Sequence, residues 1–242
     1  MLRGAALAAL IVVGLGAAAA PARGDEAVDA AIVLAADVSR SIDDDEFALQ
    51  RRGYAAAIVS DKLMEAIHSG PHGAIALAYV EWAGEGEQAI VVDWMVLRNS
   101  TDAAKFATAL AASPRSFLGR TAIGSALDFA MGLFAEGGIV ADRKVIDVSG
   151  DGTSNQGRAV TEARDDAVKA GAVINGLSIF NRRAASEGGY LALHTNPPGG
   201  LAKYYRDNVI GGLGAFVLPI DDFGAFGDAM IRKLTAEIAS RD

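Results

Sequence analysis

The sequence predicts an α/β fold: an open, mostly parallel sheet with helices on both faces and one antiparallel edge strand. Three observations predict it. Ala30-Ala31-Ile32-Val33-Leu34-Ala35-Ala36 is apolar at every position, as a strand covered on both faces reads. Further apolar runs alternate with amphipathic helical stretches, and parallel strands need such crossover helices. Two strand-like runs, Gly73 to Trp82 and Gln88 to Val96, are joined only by Ala83-Gly84-Glu85-Gly86-Glu87. That short glycine-containing link reads as a hairpin, which makes one of the two an antiparallel edge.

The remaining elements follow in order. Asp44 to Ile67 has Phe47, Tyr54, Ile58, Leu63 and Ile67 near helical spacing and reads as one helix. Asp102 to Ala111 and Thr121 to Glu136 are helical in pattern, and Lys144 to Ser149 is a short buried strand. Arg158 to Ala170 is a helix closed by Gly171. Val173 to Phe180 and Ala215 to Ile220 are strands, and Asp222 to Ile238 is a last helix opened by an acid. Asn181 to Gly214, with Pro197-Pro198-Gly199-Gly200 inside it, reads as irregular. Trp82 and Trp94 fall in strand patterns and read as packing residues.

Residues 1–22 read as a cleaved signal peptide: Arg3, an uncharged apolar run from Ala5 to Ala20, and the small residues Ala20 and Ala22 around Pro21. Residues 23–242 then form a single domain of periplasmic or secreted location. No later segment is long and apolar enough to span a bilayer. The net charge of −8 argues against nucleic acid or an anionic membrane as the main partner. The chain has no cysteine, which excludes disulfides and thiolate metal sites, so stability must come from the core that a 51% hydrophobic composition supplies.

Chemistry gathers in three loops. The first strand ends in Asp37-Val38-Ser39-Arg40-Ser41, and alternate residues of an extended chain point the same way, so one carboxylate and two hydroxyls converge. Leu118-Gly119-Arg120-Thr121 opens a helix, and Gly150-Asp151-Gly152-Thr153-Ser154-Asn155 leaves the fourth strand. Taken singly, each has a plain structural reading: Ser41 or Thr121 as a helix cap, Asp151 as a turn residue. Taken together they set oxygen donors on one rim of the sheet, where open α/β folds place ligands. Oxygen-only donors suit a hard cation such as Mg²⁺.

The residues Asp37, Ser39, Ser41, Thr121 and Asp151 resemble the metal-ion-dependent adhesion site of von Willebrand factor type A domains, whose D-x-S-x-S, Thr and Asp lie on three loops. The stretches Val145 to Gly152, Tyr204 to Gly212 and Lys233 to Ile238 are further similar to a family of secreted bacterial type A-like proteins without an assigned function. The resemblance implies a Rossmann-like sheet and one bound Mg²⁺ (or Mn²⁺) held by those five side chains. It also implies a protein or carboxylate-bearing ligand at an open coordination position. Two carboxylates balance the cation's charge, so the site stays electrophilic toward a third. Arg40, Arg120 and Asn155 would rim the ligand, and Asp147 would hydrogen-bond loop backbone from behind. Asp44 and Asp45 fall where some type A domains hold a second cation; acids opening a helix also complement its dipole, which is the plainer reading.

The alternative is an enzyme: a Mg²⁺-dependent phosphatase of haloacid-dehalogenase type with Asp37 as nucleophile. Such enzymes need a second acid two residues later for proton transfer, where this chain has Ser39. Only His68, His72 and His194 are available as imidazoles, and none sits in a triad-like or clustered arrangement.

Overall fold

The computed structural model describes residues 27–239; the signal peptide expected over residues 1–22 lies outside them. At its centre is β1 (Ala30–Asp37), buried along its whole length. Successive side chains of a strand enter opposite faces. Ile32 and Leu34 therefore join one hydrophobic core, and Ala31, Val33 and Ala35 join the other.

Then come α1 (Asp44–Ile58), α2 (Asp61–His68), β2 (Ile75–Trp82), β3 (Gln88–Leu97), α3 (Ser100–Ala112) and α4 (Ile123–Glu136). The second half holds β4 (Lys144–Gly150), α5 (Val160–Lys169), β5 (Ala172–Ile179), α6 (Arg182–Glu187), α7 (Gly189–Thr195), α8 (Leu201–Tyr204), β6 (Val217–Ile220) and α9 (Phe226–Ala239). The strands lie in the order β3-β2-β1-β4-β5-β6, all parallel except the β2–β3 hairpin. Helices α1, α2, α3 and α9 cover one face through Tyr54, Leu63, Phe106 and Phe226; α4, α5 and α8 cover the other through Leu127, Ala163 and Leu201. Both tryptophans are buried, as their strand positions predict.

The structure departs from the sequence reading at the local level. Residues 44–67 fold as two helices, because Ser60 turns the chain and caps α2, its Oγ accepting from Leu63 N at 3.3 Å. The last helix is preceded by a 3₁₀ turn, Phe223–Ala225, capped by Asp222. Residues 181–214, expected to be irregular, build α6, α7, α8 and the π-helical turn Tyr205–Val209. This connection matters because it packs over the donor loops through Asn181, His194 and Tyr204. Among the described residues, no helix is long and apolar enough to cross a membrane.

Candidate metal centre

β1 lies between β2 and β4, so the chain's direction of travel across the sheet reverses beside it. A crevice opens outside the carboxyl ends of strands at such a switch point. Asp37 ends β1 and Asp151 directly follows β4, with Ala36 opposite Ser149 in register. The middle loop reaches the same rim because Ala122 N donates to Ala83 O, just past the end of β2, at 2.8 Å. Thr121 therefore faces the crevice and does not cap α4, which has no side-chain cap.

The five oxygen-bearing side chains come together as a continuous chain of donors. Ser41 Oγ lies 2.6 Å from Asp151 Oδ1, Ser39 Oγ 3.2 Å from Ser41 Oγ, and Thr121 Oγ1 3.3 Å from Ser39 Oγ. Asp37 Oδ1 accepts from Ser39 N at 2.7 Å. Its other oxygen, Oδ2, is buried and finds no hydrogen-bond donor among the described residues. An unmatched buried carboxylate oxygen is costly, and a cation is a natural partner for it. All five residues are buried, and burial pushes the Asp37 carboxyl up to about 8, with the nearby Asp151 adding to the rise. Asp151 is pushed up to about 6, chiefly by burial, although hydrogen bonds from Ser41 and Asn181 oppose it.

Several residues hold this arrangement, and sequence reasoning passed over Arg115 and Asn181 among them. Arg115 Nη2 donates to the carbonyls of Val38, Ser39 and Ile42 at 2.8, 2.9 and 2.8 Å, fixing the first loop by its backbone. Asn181 Nδ2 donates to Asp151 Oδ2 at 2.7 Å and to Ser41 O at 3.0 Å, joining the first and third loops. Asn155, expected on the ligand rim, lines the cavity over these loops and also clamps them: its Oδ1 accepts from Thr121 N at 3.0 Å and its own N donates to Thr121 O at 2.8 Å. His194, read from sequence as part of an irregular segment, is brought by α7 to 3.2 Å from Thr121 Oγ1. Burial lowers its pKa and favours the neutral imidazole.

Of the other expected residues, Asp147 acts differently, Asp44 and Asp45 open a helix, and Arg40 and Arg120 line the rim. Asp147 does not hydrogen-bond loop backbone. It sits mid-strand, and its Oδ1 lies 2.6 Å from Lys233 Nζ of α9, because a buried ammonium there claims the carboxylate. Asp44 and Asp45 are exposed in the first turn of α1, after Asp43 has closed a capping box with Glu46; Asp44 meets Arg115 at 3.5 Å. Both stand in the first turn of α1, where acids complement the helix dipole. Arg40 and Arg120 are exposed and line a cavity of about 450 Å³ over the ring, together with Tyr190, Leu191 and His194. A separate trio, Asp29, His72 and Asp142, stands at the amino ends of the strands, on the opposite rim. Both oxygens of Asp29 accept backbone N–H groups there, from His72 and Ala74, so it serves as a loop anchor.

The glycines flanking Asp151 are there for space. A Cβ on Gly150 would stand 2.9 Å from Asp37 Oδ2 and 2.6 Å from the Tyr205 hydroxyl; one on Gly152 would stand 2.3 Å from His194 Nε2. Gly150→Ala is expected to cost roughly 1–3 kcal/mol by overpacking. It should also blunt any stabilisation by divalent cations, since Asp37 must turn aside. Urea unfolding with and without Mg²⁺ checks both effects.

A six-stranded sheet of this order, with three donor loops meeting at the carboxyl end of its central strands, has the von Willebrand factor type A fold. Solved structures bear this out. Proximal thread matrix protein 1 from the mussel byssus aligns over 88% of this chain with a TM-score of 0.60 at 18% identity. The pilus adhesin SpaC from Lactobacillus rhamnosus GG aligns over 87% with a TM-score of 0.61 at 14% identity. A von Willebrand factor type A protein from Catenulispora acidiphila aligns over 89% with a TM-score of 0.57 at 16% identity. The match spans 47%, 31% and 44% of those chains, less than half of each. One structure of the mussel protein has a zinc-occupied adhesion-site motif. Residues 27–242 match the family described as "Protein of unknown function (DUF1194)", and the chain belongs to it. Among curated proteins, none matches the chain in sequence.

Proposed function

We propose that this protein is an exported, periplasmic or secreted, binding domain without catalytic activity. It holds one Mg²⁺ (or Mn²⁺) through Asp37, Ser39, Ser41, Thr121 and Asp151. Through that cation it recognises a carboxylate on a protein or other ligand. The observation that carries this reading is Asp37 Oδ2, an unmatched buried oxygen beside a ring of hydroxyls and a second carboxylate. Such a donor set, hard and oxygen-only, matches Mg²⁺. Two carboxylates neutralise the ion, and the exposed Arg40 and Arg120 at the cavity mouth attract an acidic partner despite the chain's net charge of −8.

The test is capture of an envelope protein by the purified domain with and without chelator. Binding should vanish in chelator and in Asp151→Ala. Arg120→Glu should mainly slow association and flatten its salt dependence. A partner that binds equally well in chelator, or whose footprint maps to the rim bearing Asp29 and Asp142, would contradict the proposal.

The phosphatase alternative predicts an aspartyl-phosphate on Asp37. Where that chemistry needs a carboxylic acid, Ser39 offers a hydroxyl already engaged at 3.2 Å with Ser41 and 3.3 Å with Thr121. No Mg²⁺-dependent release of phosphate from generic esters is expected. Release that disappears in Asp37→Asn would favour the enzyme.

A further inference from the structure

We infer that the partner at this site is an acidic protein segment in which an aspartate or glutamate stands next to an aromatic side chain. The carboxylate goes to the cation, and the ring is seated on an apolar wall that α7 supplies. This rests on the cation proposed above and goes beyond it by naming what selects the partner besides charge.

The wall and the oxygen donors share one cavity. The space of about 450 Å³ is lined by Ser41 and Thr121 of the donor ring and also by Tyr190 and Leu191 of α7. A carboxylate that reaches the cation therefore brings its neighbouring side chain against those two residues. Apolar walls joined to a few convergent polar groups are the usual build of a ligand pocket. Large apolar side chains are also left in water on the two segments that wall this cavity. Tyr190 is 66% exposed, Leu193 of the same helix 65%, and Leu118, which directly precedes the lining residue Gly119, 60%. Exposed apolar surface gathered in this way marks a contact surface.

Tyr190 is held ready for a partner. Its ring stacks on the His194 imidazole at 5.9 Å with planes 6° apart. That imidazole is buried and hydrogen-bonded to two donor loops. Its Nε2 lies 3.2 Å from Thr121 Oγ1 and its Nδ1 3.2 Å from Thr153 Oγ1, while His194 O accepts from Thr153 N at 3.0 Å. One face of the tyrosine ring is thus occupied within the protein. A ring already fixed loses little freedom when a second aromatic side chain packs on it.

Charge decides which apolar partner is accepted. Arg40 and Arg120 line the same cavity, are exposed, and among the described residues have no carboxylate partner. Arg40 N donates to Gly119 O at 3.0 Å, which ties the loops bearing the two guanidiniums together. Two unpaired guanidiniums beside a cation favour further acids and reject a basic segment.

The test is calorimetric titration of the Mg²⁺-loaded protein with three synthetic peptides: acetyl-Gly-Asp-Phe-Gly-amide, acetyl-Gly-Asp-Gly-Gly-amide and acetyl-Gly-Asn-Phe-Gly-amide. The first should bind about tenfold more tightly than the second, as partial burial of one aromatic side chain supplies. The third should not bind. Tyr190→Ser should bring the affinity of the Asp-Phe peptide down to that of the Asp-Gly peptide; should that variant fail to fold, the comparison in the parent protein alone decides. Equal affinities of the two Asp peptides for the parent protein would overturn the aromatic partner and leave the carboxylate at the cation standing. Failure of both Asp peptides to bind, or an Asn-Phe peptide that binds as tightly as the Asp-Phe one, would overturn both.

Discussion

Asp37→Asn is expected to stabilise the metal-free protein at pH 8 and to leave it unresponsive to Mg²⁺. Without a cation, the Asp37 carboxyl is pushed up to about 8 by burial and then by Asp151, and Asp151 rises to about 6 through burial. The sign follows from which state holds the proton. Below about pH 4 the carboxyls are protonated in folded and unfolded chains alike, and nothing is lost. Above that, the unfolded chain releases protons that the fold retains, so metal-free stability falls as pH rises toward 8. An amide at position 37 escapes this penalty and still offers an Oδ1 acceptor for Ser39 N, now met at 2.7 Å. The gain should exceed about 1 kcal/mol at pH 8 and vanish near pH 4. In the parent protein, Mg²⁺ at a hundredfold excess over its dissociation constant should restore about 2.7 kcal/mol. In the variant it should restore nothing. Urea unfolding at the two pH values, in chelator and in Mg²⁺, reads all four quantities. A variant less stable than the parent in chelator at pH 8 would contradict the assignment of Asp37.

Lys233→Met should be severely destabilising while leaving cation binding intact. Lys233 Nζ lies 2.6 Å from Asp147 Oδ1 and 2.5 Å from Glu237 Oε1, and none of the three side chains reaches solvent. Burial pushes the Glu237 carboxyl up to about 7, with Asp147 adding to it. Removing the ammonium strands two carboxylates between β4 and α9, at an expected cost of about 3–5 kcal/mol. Replacing all three by apolar residues of similar size should cost much less, because no charge is then left unpaired. Denaturant midpoints at constant slope compare the two variants. A single-variant loss below about 1 kcal/mol would show that Lys233 does not hold this charge cluster.

The sheet was legible because β1 is buried on both faces and spells it out in an apolar run, because β4 and β5 are short buried strands between helical patterns, and because the β2–β3 link is too short for a crossover. Asp37, Ser39, Ser41, Thr121 and Asp151 were legible together because strand ends in a parallel sheet share a rim. What escaped depends on distant elements. Ser60 splits a helix whose apolar spacing continues past it, so periodicity alone hid the break. His194 and Asn181 lie in a stretch rich in glycine and proline, where short helices leave no periodic signal, yet tertiary packing carries both onto the donor loops. Asp147 was misplaced because its partner is remote in sequence. The signal was a lysine, Lys233, next to Leu234 and one turn before Glu237 on the packed face of α9.

The central claim is that the donor ring binds a single divalent cation. Titration of the purified protein with Mn²⁺, following the free-ion signal by electron paramagnetic resonance, tests it directly. One ion bound per chain is expected, displaced by excess Mg²⁺ and lost in both Asp37→Asn and Asp151→Ala. Mn²⁺ that stays wholly free in the parent protein, or binds equally well to both variants, would contradict it.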